Sequence, residues 1–191
     1  MTKTEMLKII ARHGYNVGFG AKKNYATYDL ISKGAGWISF ISFAIGVFAL
    51  FIPELASNII SATLIIFSVV TMYIQGYDSE KNTYSEAGKI QTELFNELEV
   101  VYRDTRSTAS FDYIATQDRV NDIMGRFYKS TISKQIFGSN WYAHYKFFNE
   151  FEQGWVEEEL SLTIKDKIPL SFRLFLVILA ILATHFNWIF H

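Results

Sequence analysis

Residues 34–52 read GAGWISFISFAIGVFALFI and residues 55–76 read LASNIISATLIIFSVVTMYIQG, with only Pro53 and Glu54 between them. The runs are nineteen and twenty-two residues long, and neither carries a charge. At about 1.5 Å of rise per residue, each matches a hydrocarbon core of about 30 Å. Two uncharged runs this close predict a transmembrane helix hairpin over residues 34–76, turned at Pro53-Glu54. As buried helices of a soluble protein, they would need a larger polar shell than the rest of the chain supplies.

A third apolar run, IPLSFRLFLVILAILATHFNWIF, covers residues 168–190. Its apolar residues go all round a helix, which argues against a helix lying flat in the interface. It is read as a third transmembrane helix, with a helix docked on the soluble part as the alternative. Arg173 and Trp188 are its interfacial residues: the arginine stem reaches the headgroups at one end, and the indole joins an aromatic belt at the other. Because the first apolar run begins only at residue 34, no cleaved leader is expected.

Of the 191 residues, half are hydrophobic, 17% aromatic and 19% charged, and the net charge is −1. That balance offers no global positive field, so direct nucleic-acid binding is not expected. With no cysteine, disulfides, thiolate metal sites and a cysteine nucleophile are excluded. Residues 1–33 form a basic N-terminal segment with Lys3, Lys8, Arg12, Lys22, Lys23 and Lys33, whereas the hairpin turn has no basic residue. The positive-inside rule puts that segment and residues 77–167 in the cytoplasm, and three crossings put His191 outside.

Residues 79–106, SEKNTYSEAGKIQTELFNELEVVYRDTR, predict a helix that continues the second span. Ala87, Ile90, Leu94, Leu98 and Val101 fall on one stripe, and Glu99 and Arg103 stand at i,i+4. Residues 111–137 repeat an amphipathic pattern through Ile114, Val120, Ile123, Met124, Phe127 and Tyr128, before Gly138-Ser139-Asn140 breaks the chain. Over residues 141–162, Trp141, Tyr145, Phe148 and Trp155 suggest an aromatic face. The glutamates around it would be repelled by an anionic leaflet, so packing within the bundle or on a partner is expected. Residues 77–167 hold eleven basic and sixteen acidic side chains, net −5. The reading is thus an all-α integral membrane protein with a hairpin, a cytoplasmic helical bundle and a third span.

No residue earns a catalytic role, and no cofactor or metal is expected. His13, His144, His185 and His191 are scattered, with no HExxH-like spacing. Asp118 and Asp122, beside Arg119 and Arg126, read as a solvated helix face. Gly14, Gly18 and Gly20 match neither a phosphate loop nor a dinucleotide fingerprint.

The spans themselves are patterned. Ser57, Ser61, Leu64, Ser68, Thr71 and Gln75 make one stripe of the second span, polar at five of six positions. Ala35, Ser39, Ser42, Gly46 and Ala49 make a stripe of small residues on the first, read as a helix-packing seam. For the second stripe two readings stand: a tight seam, or a surface that faces water after oligomerisation.

The layout resembles the SLATT family of two-transmembrane effectors from bacterial nucleotide-signalling and antiviral conflict systems. The likeness lies in KKNYATYDLISKG (residues 22–34), the tight hairpin at Pro53-Glu54, and GYDSEKNTYSEAGKIQTELFNELEVVY (residues 76–102). It implies a homo-oligomeric, pore-forming effector of the bacterial inner membrane that acts in abortive infection on a cytoplasmic trigger. It also implies a genomic neighbour, either a nucleotide-second-messenger synthase or a reverse transcriptase. The alternative is a non-conducting membrane anchor or adaptor that recruits such an enzyme.

Overall fold

The computed structural model describes residues 1–190, and the side chains of all of these except Ile164 and residues 182–190. Two long rods dominate it. The first runs Lys3–Phe48 and the second Asn58–Ser107, about 70 and 75 Å at helical rise. Rod one comprises α1 (Lys3–Asp29), a wide π-helical turn (Leu30–Gly34) and α2 (Ala35–Phe48). Rod two comprises α3 (Asn58–Gln75), a 3-10 turn (Asp78–Glu80) and α4 (Lys81–Ser107). The helical continuation from the second span into the polar region is as the sequence reading expects.

Joined at the α2–α3 turn, the rods lie antiparallel, α2 against α3 and α1 against α4. At the far end, the Lys3 ammonium donates to the carbonyls of Arg106 and Thr108 at 2.8 and 2.7 Å, which ties the two rods together. Thr2 starts α1 as a capping box with Glu5, so the basic N-terminal segment is a full helix. The α2–α3 turn is wider than Pro53-Glu54 alone, because α2 stops at Phe48 and a 3-10 turn fills Pro53–Ala56. Proline fits the first position of such a turn because its missing N–H needs no partner there.

Four shorter helices complete the bundle: α5 (Tyr113–Lys129), α6 (Ser139–Glu150), α7 (Gly154–Leu160) and α8 (Ile164–Lys167). α5 packs on α4, while α6 and α7 pack on α1. The main core gathers Met6, Ile10 and Val17 of α1, Leu94, Phe95, Leu98 and Val101 of α4, Val120 and Ile123 of α5, and Trp155 of α7. Gly14 and Gly18 explain the glycine run. A Cβ on Gly14 would stand 2.4 Å from the Trp155 ring, and one on Gly18 would crowd Phe95, Phe147 and Phe151. These glycines are room for neighbouring aromatic rings.

Two expectations are corrected. Ile90 lies at the surface, and Gln91 takes the inward position among Ala87, Leu94, Leu98 and Val101. The aromatic set on 141–162 is not one face: the chain breaks after Glu150, Trp155 enters the core from α7, and Tyr145 stays exposed. The face of Asp118, Arg119, Asp122 and Arg126 is exposed, as expected. Arg126 pairs with Glu97 and Arg119 with Asp104, both across to α4, although at exposed sites worth little stability.

The last helix, α9, runs Leu170–Phe190. It is tethered near its start: Trp141 of α6 donates from Nε1 to the Ser171 hydroxyl at 3.1 Å and packs its ring on Phe172 and Phe175. Arg173 turns its guanidinium back onto the carbonyls of Lys165 and Ile168. The Trp188 side chain lies outside those described, and His191 outside the described residues.

Candidate functional site

The hairpin is the part of the molecule with the least of its own chain around it. On α2 the half-buried positions Ala35, Ile38, Ser42, Ile45 and Ala49 step by three and four, and this is the face turned to α3. On α3 the matching face is Ile60, Leu64, Phe67, Thr71 and Ile74. The small-residue stripe therefore meets the seam only in part. Ala35, Ser42 and Ala49 are at it, while Ser39 and Gly46 are exposed, and a Cβ on Gly46 would touch nothing within 4 Å. The polar stripe divides in the same way: Ser57 and Thr71 are half-buried, and Ser61, Ser68 and Gln75 are exposed.

At about 100° per residue, each stripe is centred some 50–70° to one side of its helix's seam. Because α2 and α3 are antiparallel, these offsets fall on the same side of the hairpin. One face thus presents Ser39 and Gly46 from α2 together with Ser61, Ser68 and Gln75 from α3. Bulky apolar side chains, among them Trp37, Phe40, Phe48, Ile66 and Val69, cover most of the rest of the surface. Neither helix alone reveals this convergence. Two interleaved stripes on separate runs become one surface only when the seam is known.

The hydroxyls of the polar stripe already have acceptors. Ser61 donates to the Ser57 carbonyl at 3.1 Å, Ser68 to Leu64 at 3.0 Å and Thr71 to Phe67 at 2.9 Å. Such back-bonding to the fourth residue before satisfies the donor inside a helix. A serine here tolerates an apolar neighbour and still offers a lone pair to water.

Below the hairpin, a second cluster joins it to the bundle: Ile31, Ile74, Tyr84 and Ile136, with Ala35, Ile38 and Tyr77 packed against them. Beside it runs a buried amide network that sequence reading missed. Asn24 Nδ2 donates to Gln91 Oε1 at 3.0 Å, and Gln91 Nε2 donates to the Ser130 carbonyl at 3.1 Å. Gln135 Nε2 donates to Asn24 Oδ1 at 3.1 Å, and Gln135 also pairs with Thr27. Tyr84 adds a bond to the Lys134 carbonyl at 2.8 Å. The network ties α1, α4 and the segment after α5 at one level of the bundle. No local pattern marks it, because lone polar residues on polar helices look solvated.

Asp29, at the end of α1, accepts from Lys146 at 2.7 Å and from Lys33 at 3.1 Å. Burial alone would raise its carboxyl, but the bonds and charges of the two lysines outweigh it and hold it below the usual carboxylate range. Among the described residues, no group of histidine, aspartate and glutamate is placed to hold a metal ion.

The chain thus carries two helices long and apolar enough to cross a membrane on a polar helical bundle. The family model for the SMODS and SLOG-associating 2TM effector domain 6 matches residues 1–176, and the chain belongs to that SLATT family. No curated protein and no solved structure matches the chain. Membership agrees with the likeness carried by residues 22–34, Pro53-Glu54 and 76–102, and it points to a membrane effector of defence systems.

Proposed function

We propose that the chain is an oligomeric effector of the bacterial inner membrane that opens a pore on a cytoplasmic trigger. The observation that carries this reading is the single face on which both spans present small and polar residues. Most of the hairpin's remaining surface is bulky and apolar and suits lipid. Small residues let copies approach closely, and the Ser61, Ser68 and Gln75 edge then meets either its own kind or water. The N-terminus and the bundle are cytoplasmic in this reading, and α9 crosses the membrane to leave the C-terminus outside.

The trigger acts on the bundle. The two rods pass unbroken from bundle to hairpin, and they depart from α-helical geometry at one shared level, Leu30–Gly34 and Asp78–Glu80. π and 3-10 turns inside long helices are where such rods yield. Rearrangement of the bundle above that level swings the hairpin and changes how copies meet.

Single cysteines at Ser61, Ser68 and Gln75, in a chain with no native cysteine, test the lumen. In triggered cells they should react with small hydrophilic thiol reagents, whereas cysteines at Ile65 and Ile66 stay unreactive. Unreactive stripe positions with toxicity intact would remove α3 from the conducting path. A non-toxic chain that still recruits a cytoplasmic enzyme would make it an anchor.

A further inference from the structure

Where α1 passes into α2, the π-helical turn pushes Ser32 and Lys33 outward, and a groove of about 420 Å³ opens along Ser32, Lys33, Gly36, Trp37 and Phe40. It lies on the back of rod one, away from the α2–α3 seam. Gly36 leaves its floor open, since a Cβ there would touch nothing within 4 Å. Trp37 and Phe40 form its lower walls, each 63% exposed, with their rings edge-to-face at 6.3 Å.

At its upper end one carboxylate is shared by two ammoniums. Lys146 holds one Asp29 oxygen at 2.7 Å and Lys33 the other at 3.1 Å. Asp29 therefore neutralises neither lysine alone, and the one that reaches solvent is Lys33, whose side chain is 67% exposed. Lys33 and Trp37 are one turn apart, so ammonium, hydroxyl, indole and phenyl follow each other in order of depth into the first span.

We propose that this groove binds one anionic phospholipid of the cytoplasmic leaflet. Its phosphate meets Lys33 and the Ser32 hydroxyl, and an acyl chain lies over Gly36 against Trp37 and Phe40. A basic residue at the headgroup level with aromatic side chains just below is the arrangement that suits such a lipid. The inference rests on the reading that residues 34–52 cross the membrane.

The test is native mass spectrometry of the full-length chain in a mild non-ionic detergent, titrated with phosphatidylglycerol or phosphatidylcholine. One phosphatidylglycerol per chain should bind in preference to phosphatidylcholine. Lys33→Gln should weaken phosphatidylglycerol by about fivefold and leave phosphatidylcholine unchanged. Lys33→Arg should retain it, and Trp37→Ala should weaken both lipids. Lys8→Gln, the same charge change at an exposed site near the other end of α1, should have no effect. Equal losses for Lys8→Gln and Lys33→Gln, or no preference between the lipids, would overturn the site. Alkaline extraction of membranes is the separate control: a chain released by it does not cross the bilayer, and both readings fall together, whereas a retained chain without lipid preference sinks the groove alone.

Discussion

Replacing Gln91 by leucine isolates what the amide network contributes. The side chain is 1% exposed, and leucine has a similar volume, so no large cavity forms. What is lost is the acceptor for Asn24 Nδ2 and the donor to the Ser130 carbonyl. Asn24 Oδ1 keeps its bond from Gln135, and the Ser130 hydroxyl keeps its bond to the Phe127 carbonyl. The buried Asn24 amide and the carbonyl of half-buried Ser130 are therefore left without these partners. At about 1–3 kcal/mol for each orphaned group, and with a small gain from the added apolar surface, Gln91→Leu should destabilise by about 2–4 kcal/mol. Against the ~5–15 kcal/mol typical of a folded domain, that is a large share.

The assay is denaturant unfolding in detergent, followed by tryptophan fluorescence, since Trp155 sits in the bundle core. Asn24→Leu completes a double-mutant cycle. Because each single substitution orphans the other's partner, the double variant should cost less than the sum by about 1–2 kcal/mol. A Gln91→Leu variant within about 0.5 kcal/mol of the parent, with an additive double variant, would mean that the network holds nothing together.

Other outcomes follow from the same geometry. Gly14→Val should destabilise the bundle by several kcal/mol, because its Cβ meets the Trp155 ring at 2.4 Å. Gly46→Leu should leave monomer stability unchanged and abolish the multimer seen by mass measurement in nanodiscs; a strictly monomeric parent would refute assembly. Among the described residues, Nδ1 of His13 and of His144 is buried without a partner, and burial lowers both histidines, Arg12 adding to the effect at His13. The unfolded chain then binds more protons below about pH 6.5, so stability falls as pH drops through that value, by at most about 1.4 kcal/mol per pH unit for each histidine. His144→Phe, which keeps the ring contact with Phe19, should flatten the pH dependence of the unfolding midpoint. Reporter fusions after residue 30, at Glu54 and after residue 130 should read inside, outside and inside; a cytoplasmic signal at His191 would remove α9 as a crossing.

The hairpin, the helical character of the whole chain and the continuous second rod were legible because each rests on a signal carried within a few turns. An uncharged run needs no partner to be recognised, and neither does the i,i+4 pair of Glu99 and Arg103, whose nitrogen and carboxylate stand 2.5 Å apart. Gln91 was not legible. Its neighbour Ile90 fits the apolar spacing better, and only the presence of Asn24 and Ser130 makes the amide the buried choice. The glycines of α1 were illegible for a related reason: their meaning lies in Trp155 and Phe147, far along the chain. In each of these cases the deciding atom belongs to another helix.

The polar stripe of α3 shows where reading from sequence stops being sufficient even when every residue is noticed. A serine in a span looks unsatisfied until the carbonyl four residues before it is found at 3.0 Å, as it is for Ser68. Once the hydroxyl proton is committed to the helix's own backbone, burial against lipid is no longer prohibitive, and polarity alone does not demand water. What distinguishes the stripe is placement: it shares a face with Ser39 and Gly46 of the other span, while the bulky side chains lie elsewhere. Close approach and a wetted surface both need small side chains gathered on one side. They differ in what Ser68→Leu does. At a tight contact between copies the larger side chain breaks assembly, whereas at a lumen it leaves the multimer intact and narrows or dewets the path. An intact multimer that has lost its toxicity is the outcome a pore requires.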